Sequence, residues 1–457
     1  MMKTFFTILL TLLIMSVFAA DSRADGWKAG VARAVITPTT PMWMAGYATR
    51  DRPAQGKLHD LWAKAIVLED ASGKRVVLIT LDVCGIDRKL SNAIRDRLQA
   101  DHNLARDAIA IAVSHTHSGP TVGDNLRAMN FLDEKQQGYV NEYTKNLEDT
   151  VVRITGEAIK AMKPAQLAWK QGQATFAVNR RENAEAKVPE LREKGELKGP
   201  VDHNLPVLAV SSSEDGKLFA VLYGYACHGT TTSLYEWSGD WPAVASMEIE
   251  KAHPGVTALC WIGCAGDQNP LPRRSYKLLQ SYGAQAAAGV EAALSAGAMQ
   301  AIEPKLVTTY AEIDLPLAPI PPKEKFEADL NSEDKFTANR AKILLAQLER
   351  DGKLATHYPY PVQLWRLGNQ VKWIHLGGEV TVEYSLRLKK ELGADDTWVG
   401  SYMNDVMAYI PSLKVLNEGR YEGDQSMIYY CLPTKWAPQV EELIVKEVHR
   451  QVDETAK

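Results

Sequence analysis

The 457-residue sequence has no surplus of charge of either sign: 52 Lys and Arg stand against 56 Asp and Glu, a formal net charge of −4. Binding by phosphate neutralisation needs a basic surplus, so an electrostatic nucleic-acid binder is excluded. Cysteine is scarce and odd in number. Cys84, Cys227, Cys260, Cys264 and Cys431 lie scattered through apolar runs, which excludes a small disulfide scaffold. Cys260 and Cys264 have no second close pair to complete a zinc ribbon and read as buried thiols. Glycine and proline, at 31 and 22, show no low-complexity bias, and 46% hydrophobic against 24% charged residues is a globular balance. Disorder as the main state is excluded. There is no internal repeat, and beyond the first segment no uninterrupted apolar stretch is long enough to span a bilayer.

That first segment, MMKTFFTILLTLLIMSVFAADSRADG, has Lys3, an apolar run from Phe5 to Ala20 and small residues up to Ala24. It reads as a secretory signal peptide over residues 1–24, cut after Ala24 or after Ala19, with an uncleaved anchor as the alternative. The expected product begins near Asp25 and is exported, to the periplasm or beyond.

The remaining chain repeats one event: a short apolar run of buried-strand length that ends in polar or glycine residues. Arg75–Leu81 runs into Asp82, and Ala108–Val113 into Ser114-His115-Thr116-His117-Ser118-Gly119-Pro120. Phe219–Ala226 runs into Cys227-His228-Gly229, Val256–Ile262 into Gly263-Cys264-Ala265-Gly266-Asp267-Gln268-Asn269-Pro270, and Val371–Leu376 into Gly377-Gly378-Glu379. Helix-like stretches lie between or after them at Asp87–Gln99, Gln136–Met162, Pro242–Ala252, Tyr276–Ala296, Lys335–Asp351 and Trp436–Val452. Alternation of this kind predicts a layered α/β fold, a largely parallel or mixed central sheet with helices on its faces. Ligands of such folds gather at the carboxyl ends of the strands, where these five runs would deliver Asp, His-x-His, His, Asp/Asn and Glu.

The chain has only 10 histidines. His115 and His117, two apart on an extended segment, project to one side and can address one centre. With His228 and Glu379 at comparable strand ends they offer the imidazole and carboxylate donors that suit zinc. Asp82 and Asp240 are candidates to orient the ligand imidazoles or to bind a second cation, with a helix or loop cap as the alternative. His59, His203 and His375 read as core or loop residues.

These residues carry a family resemblance. The segment Ser114–Pro120, with Met44-Ala45-Gly46-Tyr47 upstream, Cys227-His228-Gly229, Gly378-Glu379-Val380-Thr381, and Tyr409-Ile410 followed by Arg420-Tyr421-Glu422-Gly423, resembles the neutral ceramidase family in its N-terminal, catalytic-domain type. The resemblance implies that residues 25–457 form a single catalytic domain. It also implies one zinc ion on His115, His228, Glu379 and the phenolic oxygen of Tyr409, with His117 beside the metal either supporting its ligands or transferring protons. Two departures stand out. Where the family carries a needed serine before a proline, this chain has Asn269, which cannot act as an oxygen nucleophile but can donate to an oxyanion. The second is length: with its last residue at Lys457, the chain is expected to be the catalytic domain alone, without the immunoglobulin-like domain that follows it in the family.

The expected function is that of an exported zinc hydrolase cleaving an N-acyl amide, ceramide-like or otherwise, with His117 as proton shuttle and Arg180 and Arg181 gripping a polar or anionic group. The alternatives are hydrolysis of a polar acylated sugar or peptide conjugate or an ester, and a non-catalytic metal-containing binding protein. Residues 316–360, opening with a proline-rich segment, are expected to form a lid or a helical excursion. The expected partner is a small-molecule or lipid acyl-amide; peripheral membrane contact and oligomeric state stay open.

Overall fold

The computed structural model describes residues 26–456, so the signal segment proposed for residues 1–24 lies outside the described residues. Eight strands in chain order form the main sheet: β1 (Trp27–Val35), β2 (Trp62–Glu69), β3 (Arg75–Leu81), β4 (Ile109–Val113), β5 (Lys163–Gln173), β6 (Asn204–Ser212), β7 (Leu218–Tyr225) and β8 (Thr257–Ile262). Their spatial order is β8-β7-β6-β5-β1-β2-β3-β4, with Gln300–Ala301 added alongside β5. The sheet is mixed: β3–β4 and β7–β8 pair in parallel and the others antiparallel. It curls until its edge strands β4 and β8 approach each other.

Strand β3 shows why these runs are apolar throughout. Val77, Ile79 and Leu81 face one core and Val76 and Leu78 another, so a period of two buries both faces. The first core lies under four helices: α1 (Arg88–His102), α2 (Glu134–Lys160), α3 (Asp240–Ala252) and α4 (Tyr276–Ser295). Asp87 starts α1 by accepting from Leu90 N at 2.8 Å, one of the four amides that a helix start leaves unpaired.

The layered α/β reading holds, and the layer on the second face of the main sheet is another sheet. This sheet runs β9-β10-β11-β12 over Leu306–Pro316, His357–Leu367, Val371–Leu376 and Thr397–Gly400. Trp365, Trp373 and Trp398 fill the interface against Trp169 and Trp261, and large flat side chains of this kind suit the gap of roughly 10 Å between stacked sheets. Helices resume on the far side, where α7 and α8 (Val382–Leu392 and Val440–Thr455) cover Leu364, Ile374 and Leu376. The last helix begins later than the sequence predicts because Trp436 pairs with Leu317 and Pro438 disfavours helical backbone in the residue before it.

Strands β9 and β10 form a hairpin whose register closes at Pro316–His357. The residues between carry α5 (Lys323–Asp329) and α6 (Lys335–Asp351), a helical excursion. Its Phe336 packs on Phe131 and Tyr429, and Asn339 donates to Ala128 O at 3.0 Å. All five cysteines are unpaired, four of them buried.

Candidate metal centre

Two pairs of loops build the centre. After β4, Thr116 bridges Gly229 in parallel, and His117 N donates to Gly229 O at 3.0 Å, which sets the segments bearing His115 and His228 side by side. A Cβ on residue 229 would sit 2.9 Å from the carbonyl oxygens of Ser114 and His115, so only glycine admits this approach. His115 itself has φ +51°, a left-handed conformation that costs about 1 kcal/mol or more in a non-glycine residue and recurs where function fixes the backbone. The second pair is the short parallel ribbon of Glu379–Val380 with Tyr409–Ile410, in which Glu379 and Tyr409 are register partners. The two halves are joined where Gly266 N donates to Val380 O at 2.8 Å and His228 N to Gln268 O at 3.0 Å.

The result is a buried set of donors facing one point. Glu379 Oε2 lies 3.1 Å from His115 Nε2 and 3.0 Å from His228 Nε2; Tyr409 Oη lies 3.2 Å from His228 Nε2, and His117 Nε2 lies 3.1 Å from His115 Nε2. His115 Nδ1 contacts Cys84 O at 2.6 Å and His228 Nδ1 contacts Ala265 O at 2.5 Å. A carbonyl can only accept, so both Nδ1 atoms carry a proton and each ring turns its Nε2 toward Glu379, free to present a lone pair to a metal.

Tyr430 Oη donates to Glu379 Oε1, whereas Oε2 is buried with no hydrogen-bond partner. Three electron-rich atoms so placed repel unless a cation or protons lie between them. Burial, the largest single influence on His115, opposes its charge, yet the Glu379 carboxylate and Cys84 together outweigh it and push the imidazole up to about 10; Glu379, despite its own burial, is held well below the usual carboxylate range by His115 and His228. The spacing is close to the ~3.4 Å edge of a tetrahedron with bonds of ~2.1 Å, and two imidazoles with a carboxylate are borderline nitrogen and oxygen donors. The residues therefore fit a divalent metal.

Other expected site residues fall into place differently. The expectation that Asp82 or Asp240 orients an imidazole is corrected, because backbone carbonyls do so. Asp82 Oδ2 instead accepts from Trp62 N at 2.9 Å, beside a cavity of about 30 Å³ shared with Lys64 and Glu250, and burial pushes its carboxyl up to about 6. Asp240 accepts from the amides of Thr231, Thr232 and Trp241 at 2.8–3.0 Å and so pins the loop that follows His228. The paired grip of Arg180 and Arg181 is corrected too. Arg181 is buried against Glu418 and Glu422, while Arg180 bonds Glu422 Oε1, Asn269 Oδ1, Gly266 O and Tyr409 Oη at 2.8–3.2 Å. Arg180 thus positions Tyr409 and Asn269.

His117, Asn269 and Tyr409 line a cleft of about 710 Å³. Burial and the His115 and His228 rings hold His117 well below the ordinary histidine value. His375 lies in the core near Gln363, while His59 accepts from Gly239 N at 2.9 Å.

Tyr430 was not legible in the sequence, since its segment has neither strand nor helix periodicity. Tyr430→Phe is expected to keep the fold and weaken divalent-cation binding about 10–100-fold, because it removes the partner that fixes Glu379. Competition with a chelating dye measures this, and unchanged affinity would show that Glu379 holds its position without it.

A family model for neutral/alkaline non-lysosomal ceramidase, N-terminal, matches residues 27–312. Among curated proteins, neutral ceramidase 1 of Arabidopsis thaliana is 26% identical over 255 residues, covering 54% of this chain and 32% of that protein. Neutral ceramidase of Pseudomonas aeruginosa is 26% identical over 239 residues, covering 50% and 34%. The chain thus spans about a third of the length of the curated relatives it matches. The crystal structure of neutral ceramidase from Pseudomonas aeruginosa superimposes on 93% of this chain and 73% of its own, with a TM-score of 0.71 at 19% identity, a likeness of fold. Since the family model covers more than half of the 457 residues and runs through both histidine loops of the cradle, the chain belongs to the neutral/alkaline non-lysosomal ceramidase family.

Proposed function

We propose that this protein is an exported zinc-dependent hydrolase that cleaves an N-acyl amide bond. The observation that carries the reading is the buried convergence of His115, His228 and Glu379 at one point, with Tyr409 and His117 beside it on the cleft wall. Zinc would be held by His115, His228, Glu379 and Tyr409, and when bound it supplies Lewis-acid polarisation of an acyl carbonyl and acidification of water toward pKa ~7. Export rests on the signal-like pattern of residues 1–24.

The chain's own residues then have distinct tasks. Cys84 O and Ala265 O fix the imidazole tautomers, and Tyr430 leaves Glu379 with one free oxygen. Arg180 donates to Asn269 Oδ1 at 3.2 Å, which engages the oxygen of the side chain and leaves its amide N–H, on the cleft wall, as the donor for a developing oxyanion. His117 moves a proton from the attacking water to the leaving nitrogen.

Purified protein stripped with chelator and reloaded with zinc should hydrolyse members of an acyl-amide panel only in the reloaded state. Stoichiometric zinc with no hydrolysis across the panel would favour a binding protein. His117→Ala is expected to keep its zinc and slow turnover about 10²–10⁴-fold; full turnover in the zinc-loaded variant would remove His117 from proton transfer.

A further inference from the structure

The cleft that reaches the cradle is lined by five arginines against two glutamates, in a chain whose formal charge is −4. Positive charge is therefore gathered at one concave surface, where low-dielectric walls concentrate the field. Two of the arginines, Arg180 and Arg181, are committed to Glu422, Glu418 and the metal loops. The other three face a single carboxylate. Arg273 and Arg274 share one carboxylate, that of Glu185, at 3.3 and 2.8 Å, which leaves one cation uncompensated. Arg420 is exposed and has no acidic partner among the described residues; its side chain's one hydrogen bond is a 3.4 Å contact to Arg181 O.

The backbone holds two of these side chains at the rim at a cost. Arg274 and Arg420 have φ +69° and +63°, and Arg274 N is tied to Thr231 O at 2.6 Å on the loop that follows His228. Arginines displayed on the walls of a cleft, with fewer carboxylates than guanidiniums, are suited to a planar carboxylate or a phosphate that accepts paired N–H donors. The arginines are interleaved on the walls with Met129, Leu271 and Ala48 and the rings of Tyr47, Tyr421 and Tyr429, which can hold a short acyl chain beside the anionic group.

We propose that the substrate is an acyl-amide that also carries an anionic group, carboxylate or phosphate, bound by Arg273, Arg274 and Arg420. This rests on the amide-hydrolase reading and specifies its substrate class. The test uses matched soluble pairs: N-hexanoylglycine with its neutral analogue N-hexanoylglycinamide, and N-hexanoylethanolamine O-phosphate with N-hexanoylethanolamine. Binding to the zinc-loaded protein is measured by calorimetry and hydrolysis by amine release.

At least one anionic member is expected to bind about tenfold tighter than its neutral partner, and which pair shows this separates carboxylate from phosphate. The ratio should fall toward one in R273Q/R274Q/R420Q and with rising salt. R420Q alone, a change at an exposed side chain, should lower it about two- to threefold should the triple variant fail to fold. Equal binding within both pairs, or a preference that survives in the folded triple variant or in R420Q at high salt, overturns the proposal. Anion-selective binding without amine release from any of the four would instead refute the hydrolase reading and leave the anion site standing.

Discussion

Glu379→Gln is expected to leave a folded protein that no longer retains a stoichiometric metal ion and has lost more than about 10³-fold of its hydrolytic activity, beyond the 10–100-fold typical for loss of a supporting partner. Glutamine keeps the shape of the side chain, and its amide can still take part in a hydrogen bond with Tyr430. What it removes is the negative charge and the free oxygen at 3.0–3.1 Å from the two Nε2 atoms. His115 and His228 remain, tied to Cys84 O and Ala265 O, but two neutral imidazoles and a phenol make a weak site in a buried place where a doubly charged ion has surrendered its hydration. Elemental analysis after dialysis against chelator checks this, with about one zinc expected in the parent. A full complement of zinc in the folded variant would show that the ion binds elsewhere, and the assignment of the cradle would fall.

Much of this site was legible in the sequence because strand ends are legible. Apolar runs such as Arg75–Leu81 and Val371–Leu376 coincide with observed strands, and His115, His228 and Glu379 follow such runs closely. The resemblance added Tyr409, whose place as register partner of Glu379 no spacing rule gives. What stayed hidden depends on atoms that every residue shares. The groups orienting the imidazoles are main-chain carbonyls of Cys84 and Ala265, so the residue type at those positions carries no signal, and the carboxylates that looked suitable, Asp82 and Asp240, went to backbone amides instead. The second sheet was hidden for a related reason. A strand buried on both faces reads the same whether helices or another sheet cover it, and only the tryptophans of β10, β11 and β12 distinguish the cases once they are seen to meet those of the main sheet.

Gly266 shows how the two halves of the centre depend on one close approach, and Gly266→Ala is expected to damage the metal site more than its single methyl suggests. The added Cβ would lie 2.6 Å from Glu379 O and 3.0 Å from Val380 C and O. These are main-chain atoms, so no rotamer change relieves the clash. The segment must move away from the ribbon that presents Glu379 and Tyr409, and the 2.8 Å bond from Gly266 N to Val380 O and the 2.9 Å bond from Arg180 to Gly266 O must lengthen with it. Overpacking of this kind costs about 1–3 kcal/mol. The centre loses more, because His228 is carried on the side that moves and Glu379 on the side that does not, and a shift of about 1 Å exceeds the ±0.2 Å tolerance of a metal–ligand bond. Chemical unfolding in chelator measures the first effect and zinc competition the second. The expected pattern is a lowering of apo-protein stability of about 1–3 kcal/mol together with at least about a tenfold loss of zinc affinity. A stability loss with unchanged affinity would mean that the two halves are held together by contacts other than this one.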